Sequence, residues 1–184
     1  MYKGEVKPMR LFIAINFNNE NLVKLSDAAG ILQKNSVKGN FTRTENFHLT
    51  LAFLGEVPEA KVSGVRRVMN EAANGIAPFD FSIGGLGHFK RTGGDIYWLG
   101  VEKKSELYSL ADNLKQGLKD NGFSIDDKPF KPHLTLGREV ILNRDPKSLT
   151  MPELSCHVSR ISLMKSERIR GVLTYTEIYG KELN

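Results

Sequence analysis

The chain has 184 residues, 40% of them hydrophobic, a formal charge of +5 and a single cysteine. That length suits one domain or two intimately packed lobes with a real core, and Cys156, being alone, excludes an internal disulfide and a thiolate metal cluster. No apolar run approaches the roughly 20 residues that span a bilayer and no secretory leader pattern opens the chain, so the expectation is a cytoplasmic protein with no membrane partner, whose basic balance mildly favours a polyanion such as nucleic acid.

The regular pattern begins at Met9, so residues 1–8 read as a short extension and 9–184 as a single domain. Arg10–Phe17 reads as a buried strand. Asn18 or Asn19 caps a helix with Leu22, Leu25, Ala29 and Leu32 at helical spacing, which Gly30 weakens without abolishing. Asn35–Asn40 reads as a polar turn, Phe41–Arg43 as a short strand and Phe47–Leu54 as a longer one. Pro58 opens a second helix, with Val62, Val65, Met69 and Ala72 on one face. Phe79–Phe89 and Asp95–Val101 are strand-like runs joined by the turn-rich Lys90–Gly94. The run Gly84-Gly85-Leu86-Gly87 lacks both the P-loop lysine and the dinucleotide-binding spacing, so it reads as strand distortion or close packing. Ser105–Asp120 is an amphipathic helix, with Leu107, Leu110, Ala111, Leu114 and Leu118 on one face and Asn121-Gly122 as its stop. A loop holding Pro129 and Pro132 leads to a strand at His133–Gly137. Two long strand candidates close the chain, Leu154–Met164 and Val172–Tyr179, linked by the charged turn Lys165–Gly171. Cys156 reads as a half-buried bystander beside a strand.

The tetrapeptide His-Leu-Thr-Leu occurs twice, at His48–Leu51 and at His133–Leu136, and takes half of the four histidines. On a strand, side chains alternate faces, so each copy presents an imidazole and a hydroxyl on one surface and anchors two leucines in a core. Two such surfaces across a cleft supply the two groups that general acid–base catalysis needs. The copies lie about half a chain apart, each preceded by a helix. That spacing is too long for a solenoid repeat and fits one duplicated α+β unit, two lobes related by a pseudo-two-fold. His88 and His157 stand outside the repeat and read as surface or hydrogen-bonded residues.

The flanks extend the motifs to Arg43-Thr-Glu-Asn-Phe-His48-Leu-Thr-Leu-Ala-Phe-Leu-Gly55 and Lys131-Pro-His-Leu-Thr-Leu-Gly-Arg138. With Arg10-Leu-Phe-Ile-Ala-Ile15, Gly84-Gly-Leu-Gly87 and Tyr97-Trp-Leu-Gly100, the chain from Met9 to about Leu183 resembles the 2H phosphoesterases, named for two His-x-Thr-x motifs. Among them it is similar to the bacterial and archaeal RNA 2′,3′-cyclic phosphodiesterases, historically called 2′-5′ RNA ligases. It departs from them at Asn40–Arg43, where an aromatic-rich segment is usual, and in the basic turn Leu163–Gly171.

The resemblance implies an α+β fold, bilobal, with two antiparallel sheets framing a central cleft and helices on the outer faces. It implies hydrolysis of RNA 2′,3′-cyclic phosphate ends to a 2′-phosphate, with no metal or other cofactor. His48 would be the proton donor and His133 the proton acceptor, with Thr50 and Thr135 on the non-bridging phosphate oxygens. The partners implied are RNA ends or small nucleotides carrying a cyclic phosphate, tRNA ends among them, met by a monomer whose two lobes already supply both histidines. Other reactions of the same motif pair remain open at this point: hydrolysis of a small cyclic nucleotide, cleavage of a 2′-5′ linkage or reversible 2′-5′ ligation. So does a non-catalytic RNA-binding module. Around the motifs, Arg138 and Arg43 fit either a bidentate phosphate contact or a surface salt bridge. Phe47 and Phe130 fit a stacked base or core packing. Lys131 and the cluster Lys165, Arg168 and Arg170 fit an RNA backbone or a solvated basic turn.

Overall fold

Leu11, Ile13 and Ile15 alternate with Arg10, Phe12 and Ala14, and that period of two starts the first strand. The computed structural model describes residues 7–184, so residues 1–6 of the expected extension lie outside the described residues. The elements are β1 (Met9–Asn16), α1 (Asn19–Lys34), β2 (Ser36–Phe41), a 3-10 turn (Thr44–Asn46), β3 (His48–Val57), α2 (Glu59–Ala73), β4 (Phe79–Phe89), β5 (Asp95–Val101), α3 (Ser105–Asp120), β6 (His133–Leu142), a second 3-10 turn (Pro146–Ser148), β7 (Leu154–Val158), β8 (Arg160–Ile169) and β9 (Val172–Glu182). The Asn18 side chain caps α1 by accepting the Asn21 N–H at 2.9 Å. The apolar stripe of α3 is fully buried, as its spacing requires.

The strands form two antiparallel sheets, ordered β3-β1-β8-β9 and β2-β6-β5-β4-β7. Each sheet holds one His-Leu-Thr-Leu strand, β3 in the first and β6 in the second, and the two strands approach each other between the lobes. Helix α1 packs on the five-stranded sheet against β2, β6 and β7; α2 and α3 pack on each other and reach β9 and β3 of the four-stranded sheet. This is the expected α+β architecture. The lobes are not the two halves of the sequence, however. The chain changes sheet after β1, after β2, after β3 and again after β7.

Three local expectations change. Asn35–Asn40 is not a turn: Ser36–Phe41 is a strand, paired with β6 from Ser36↔Leu142 to Phe41↔Gly137. It is an edge strand with Val37 exposed, so neither alternation nor apolar content marks it. The run Leu154–Met164 is two strands rather than one, because the chain leaves the five-stranded sheet at Ser159; β7 pairs with β4 and β8 with β1. Most of the expected charged turn is strand as well. Pairing of β8 with β9 continues to Ile169↔Val172, and only Arg170 and Gly171 turn, at φ +50° and +81°, the two-residue hairpin that left-handed conformations allow. The glycine run behaves as distortion and close packing: β4 is irregular between Gly84 and Leu86, with Gly85 at φ +71°. No helix among the described residues is long and apolar enough to cross a membrane.

Candidate active site

Both motif strands obey the alternation that their sequences demand. Leu49 and Leu51 on β3, and Leu134 and Leu136 on β6, are buried; His48, Thr50, His133 and Thr135 turn away from the core. All four face one cleft of about 660 Å³ between the sheets.

The two imidazoles are anchored alike. His48 Nδ1 lies 2.8 Å from the carbonyl oxygen of Asn46, and His133 Nδ1 lies 2.7 Å from that of Lys131. A carbonyl only accepts, so each Nδ1 carries a proton and each Nε2 is the atom left for chemistry. His48 Nε2 is 3.0 Å from Thr50 Oγ1. The anchoring carbonyl is held differently on each side. Asn46 ends the first 3-10 turn, is 7% exposed, and donates from Nδ2 to the Leu173 carbonyl on β9 at 3.1 Å, while its buried Oδ1 has no partner among the described residues. Lys131 precedes Pro132, which restricts it to extended backbone.

Aromatic rings hold each imidazole from the side. Phe12 and the edge-on Tyr175 lie 4.7 and 5.1 Å from His48, and Phe89 and Trp98 lie 5.2 and 6.2 Å from His133, centroid to centroid. Trp98 sits where a side chain at residue 87 would stand: a Cβ on Gly87 would be 2.2 Å from its ring. Burial pushes the His48 pKa below its usual 6.5, against the effect of the Asn46 carbonyl, and the positive charge of Arg138 lowers it further. Burial raises Tyr175 above the usual phenol value.

Arg138 lines the cleft, joined by Arg168 from the basic cluster and by Arg10 from β1, to which no sequence signal pointed. Lys165 pairs with Glu167 at 2.8 Å, and Arg170 occupies the β8–β9 turn. Arg43 is exposed, pairs with Glu45 and does not line the cleft. Phe47 is in the core at 4% exposure, out of reach of any ligand in the cleft. Phe130 packs edge-on against Tyr108 and, with Lys131, lines a second groove of about 740 Å³ that meets the cleft at Thr50, Phe53 and His133.

Asn46, Phe12, Tyr175 and Trp98 are the supporting residues that the motif alone did not identify. Phe12 was legible, since it shares the β1 face opposite Leu11 and Ile13; Tyr175 carries no local mark. His88 and His157 are hydrogen-bonded to Asp95 and Asp80 at 2.7 and 2.8 Å, as their isolation from the repeat suggests. Cys156 is fully rather than half buried, accepts from Asn21 Nδ2 at 3.4 Å, and has its thiol pushed up to about 11 by desolvation. Among the described residues no three His, Cys, Asp or Glu side chains converge in a way that would hold a metal ion.

Known proteins resemble this chain in sequence and in fold. Residues 34–170 match the 2′-5′ RNA ligase superfamily. The chain is 40% identical over 131 residues to an RNA 2′,3′-cyclic phosphodiesterase of Thermotoga maritima, spanning 71% of this chain and 70% of that one. It is 30% identical over 178 residues to one from Methanothermobacter thermautotrophicus, spanning 92% and 96%. The crystal structure of Escherichia coli LigT in apo form superposes with a TM-score of 0.81 at 26% identity, covering 96% of this chain and 98% of that one. LigT complexed with 3′-AMP gives the same TM-score at 27% identity. By family match, relatives and fold together, the chain belongs to the RNA 2′,3′-cyclic phosphodiesterase (LigT) family of the 2H phosphoesterase superfamily.

Proposed function

We propose that the protein hydrolyses 2′,3′-cyclic phosphate ends of RNA to 2′-phosphomonoesters, with His48 and His133 as the acid–base pair. The observation that carries this reading is the doubled anchor: two imidazoles on opposite sheets, each with Nδ1 tied to the carbonyl two residues earlier, each with a threonine two residues later, facing one cleft. The names of the relatives and the nucleotide bound to LigT support the substrate class.

In this reading the neutral Nε2 of His133 takes a proton from water as the water oxygen attacks phosphorus. The P–O3′ bond breaks, and the protonated Nε2 of His48 gives its proton to the departing 3′-oxygen. His48 ends neutral and His133 ends protonated, and exchange with solvent restores both. The hydroxyls of Thr50 and Thr135 donate to the non-bridging oxygens, where charge grows in the transition state. Arg138 stands at the cleft to neutralise the phosphodiester. Acid and base are both imidazoles, so the steps need no metal.

The test is an RNA oligomer ending in a 2′,3′-cyclic phosphate, incubated in EDTA with the wild type, His48→Ala and His133→Ala proteins, with the product phosphate position determined. The reading expects a 2′-phosphate from the wild type and losses on the order of 10²–10⁴-fold in each variant. An unopened cyclic end with the wild type, or equal rates in all three, overturns it.

A further inference from the structure

The hairpin of β8 and β9 outruns the sheet that carries it. Strand β8 pairs with β1 only as far as Lys165, opposite Leu11, whereas its pairing with β9 runs on from Ser166↔Tyr175 to Ile169↔Val172. Those last four pairs form a two-stranded arm, on the order of 13 Å long. A two-stranded ribbon has little stability by itself, yet this one is braced. Arg168 Nη1 donates to the Gly171 carbonyl at 2.9 Å, and the Leu173 carbonyl accepts from Asn46 Nδ2 at 3.1 Å. Residues 168–173 are all exposed. Ile169, Val172 and Leu173 are three of the seven large hydrophobic side chains exposed among the described residues, and the other four lie on four different elements. Apolar groups scattered singly over a surface carry no meaning, but groups gathered at one tip mark a contact surface.

The charges around the tip decide what it meets. Arg10, Arg138 and Arg168 line the cleft, whose walls hold no acidic side chain, and Arg170 stands in the turn. None of these four arginines is ion-paired among the described residues, whereas Lys165 at the base of the arm is neutralised by Glu167. The bond from Arg168 to Gly171 uses one of five guanidinium donors. Ser166, Arg168, Leu173 and Tyr175 carry the inner face of the arm directly into the cleft wall. Arginines interleaved with aliphatic groups, continuous with the phosphate site, suit a strand of alternating phosphate and sugar.

We infer that the β8–β9 arm is the docking surface for the RNA strand upstream of the reacting end. Arg168 and Arg170 meet its phosphates, and Ile169, Val172 and Leu173 lie against its sugars. This rests on the reading above that the cyclic phosphate sits between the two motifs. Contacts to the backbone position a strand without reading its sequence. The arm therefore makes an RNA end a better substrate than a free cyclic mononucleotide, whatever bases precede the end.

Steady-state kinetics test this with adenosine 2′,3′-cyclic phosphate and with short RNA oligomers of increasing length that end in the same group. The proteins are the wild type, Arg170→Gln and the double variant Ile169→Ser/Val172→Ser. The wild type is expected to gain kcat/KM over the first few nucleotides. Arg170→Gln is expected to raise KM for the oligomers roughly two- to fivefold, the contribution of an exposed ion pair. It should also lower the salt dependence of log KM by about 0.7, the effect of one phosphate contact on a single strand. The double variant should raise the oligomer KM with the salt dependence unchanged. Both should leave the kinetics of the cyclic mononucleotide at the wild-type level. Fluorescence anisotropy of a labelled oligomer ending in a 2′-phosphate gives the same comparison without turnover. No gain with length in the wild type, or oligomer KM and affinity unchanged in both variants, overturns the docking surface. Equal losses on mononucleotide and oligomer overturn it too, since they mark a structural role. So do anionic phospholipid vesicles that hold the wild type but not the variants while oligomer kinetics stay the same, because a membrane surface then occupies the arm. A wild type that opens no substrate defeats the functional reading instead, and the anisotropy still decides the arm.

Discussion

At His48 the structure places a constraint on the assigned chemistry. A general acid must be protonated, yet burial and the charge of Arg138 hold this imidazole below its ordinary pKa. The anionic phosphodiester, once bound, favours the charged form and offsets that effect. As an acid, His48 must give a rate that falls as pH rises through its pKa; as a base it would give the opposite limb. Arg138→Gln removes a positive charge, so the His48 titration followed by imidazole NMR in the free protein is expected to move to higher pH, with Arg138→Lys leaving it in place. A second residue-scale prediction concerns Asn46. Its side chain ties the 3-10 turn to Leu173 while its own carbonyl orients His48. Asn46→Ala strands the Leu173 carbonyl and is expected to cost about 1–3 kcal/mol of stability by urea denaturation. It should also reduce kcat and broaden the His48 ring signals. Unaltered His48 signals would show that the turn holds the carbonyl without the side chain.

Individual elements carry positional information that their composition hides. The Leu51 bulge moves Phe53 from the core face of β3 to the cleft face without changing a residue type. On β4, Gly87 leaves the space that Trp98 fills, and Trp98 flanks His133. Gly87→Ala brings a methyl into the indole ring, so the expected result is a loss of about 1–3 kcal/mol from overpacking. A shift in Trp98 emission and lower activity should accompany it, because His133 loses its side support. A variant with wild-type stability and emission would mean that Trp98 has room to step aside. The polar strand β2 and the divided run Leu154–Met164 belong to this scale too. Both are set by the strand alongside: β6 recruits a polar edge, and β4 and β1 draw β7 and β8 into different sheets.

Across the whole molecule, four passages between sheets tie the lobes together. The four-stranded sheet is completed only when β8 and β9, from the end of the chain, join β1 and β3 from its beginning. Neither half of the sequence contains a complete sheet of its lobe, so residues 9–184 are expected to unfold in one cooperative transition. Trp98, the single tryptophan, reports on the five-stranded sheet, and the His48 ring reports on the other. Their urea midpoints are expected to coincide; separate midpoints would show lobes that fold independently.

The amino-acid sequence by itself determined the three helices, the motif strands, the separation of His48 and His133 from the other two histidines, and the family. The helices and strands rest on periodicity within short stretches, and the two histidines and the family on the repeated His-Leu-Thr-Leu motif and its resemblance to known sequences; a chain carries both whatever its partners are. The tertiary structure alone decided which sheet each strand joins and where β2 runs. It also showed that Phe47 is core while Phe53 faces the cleft, and that Arg10 and Arg168 line the same cleft as Arg138. Each of these depends on register between strands distant in the chain, and a shift of one residue in register exchanges the two faces of a strand.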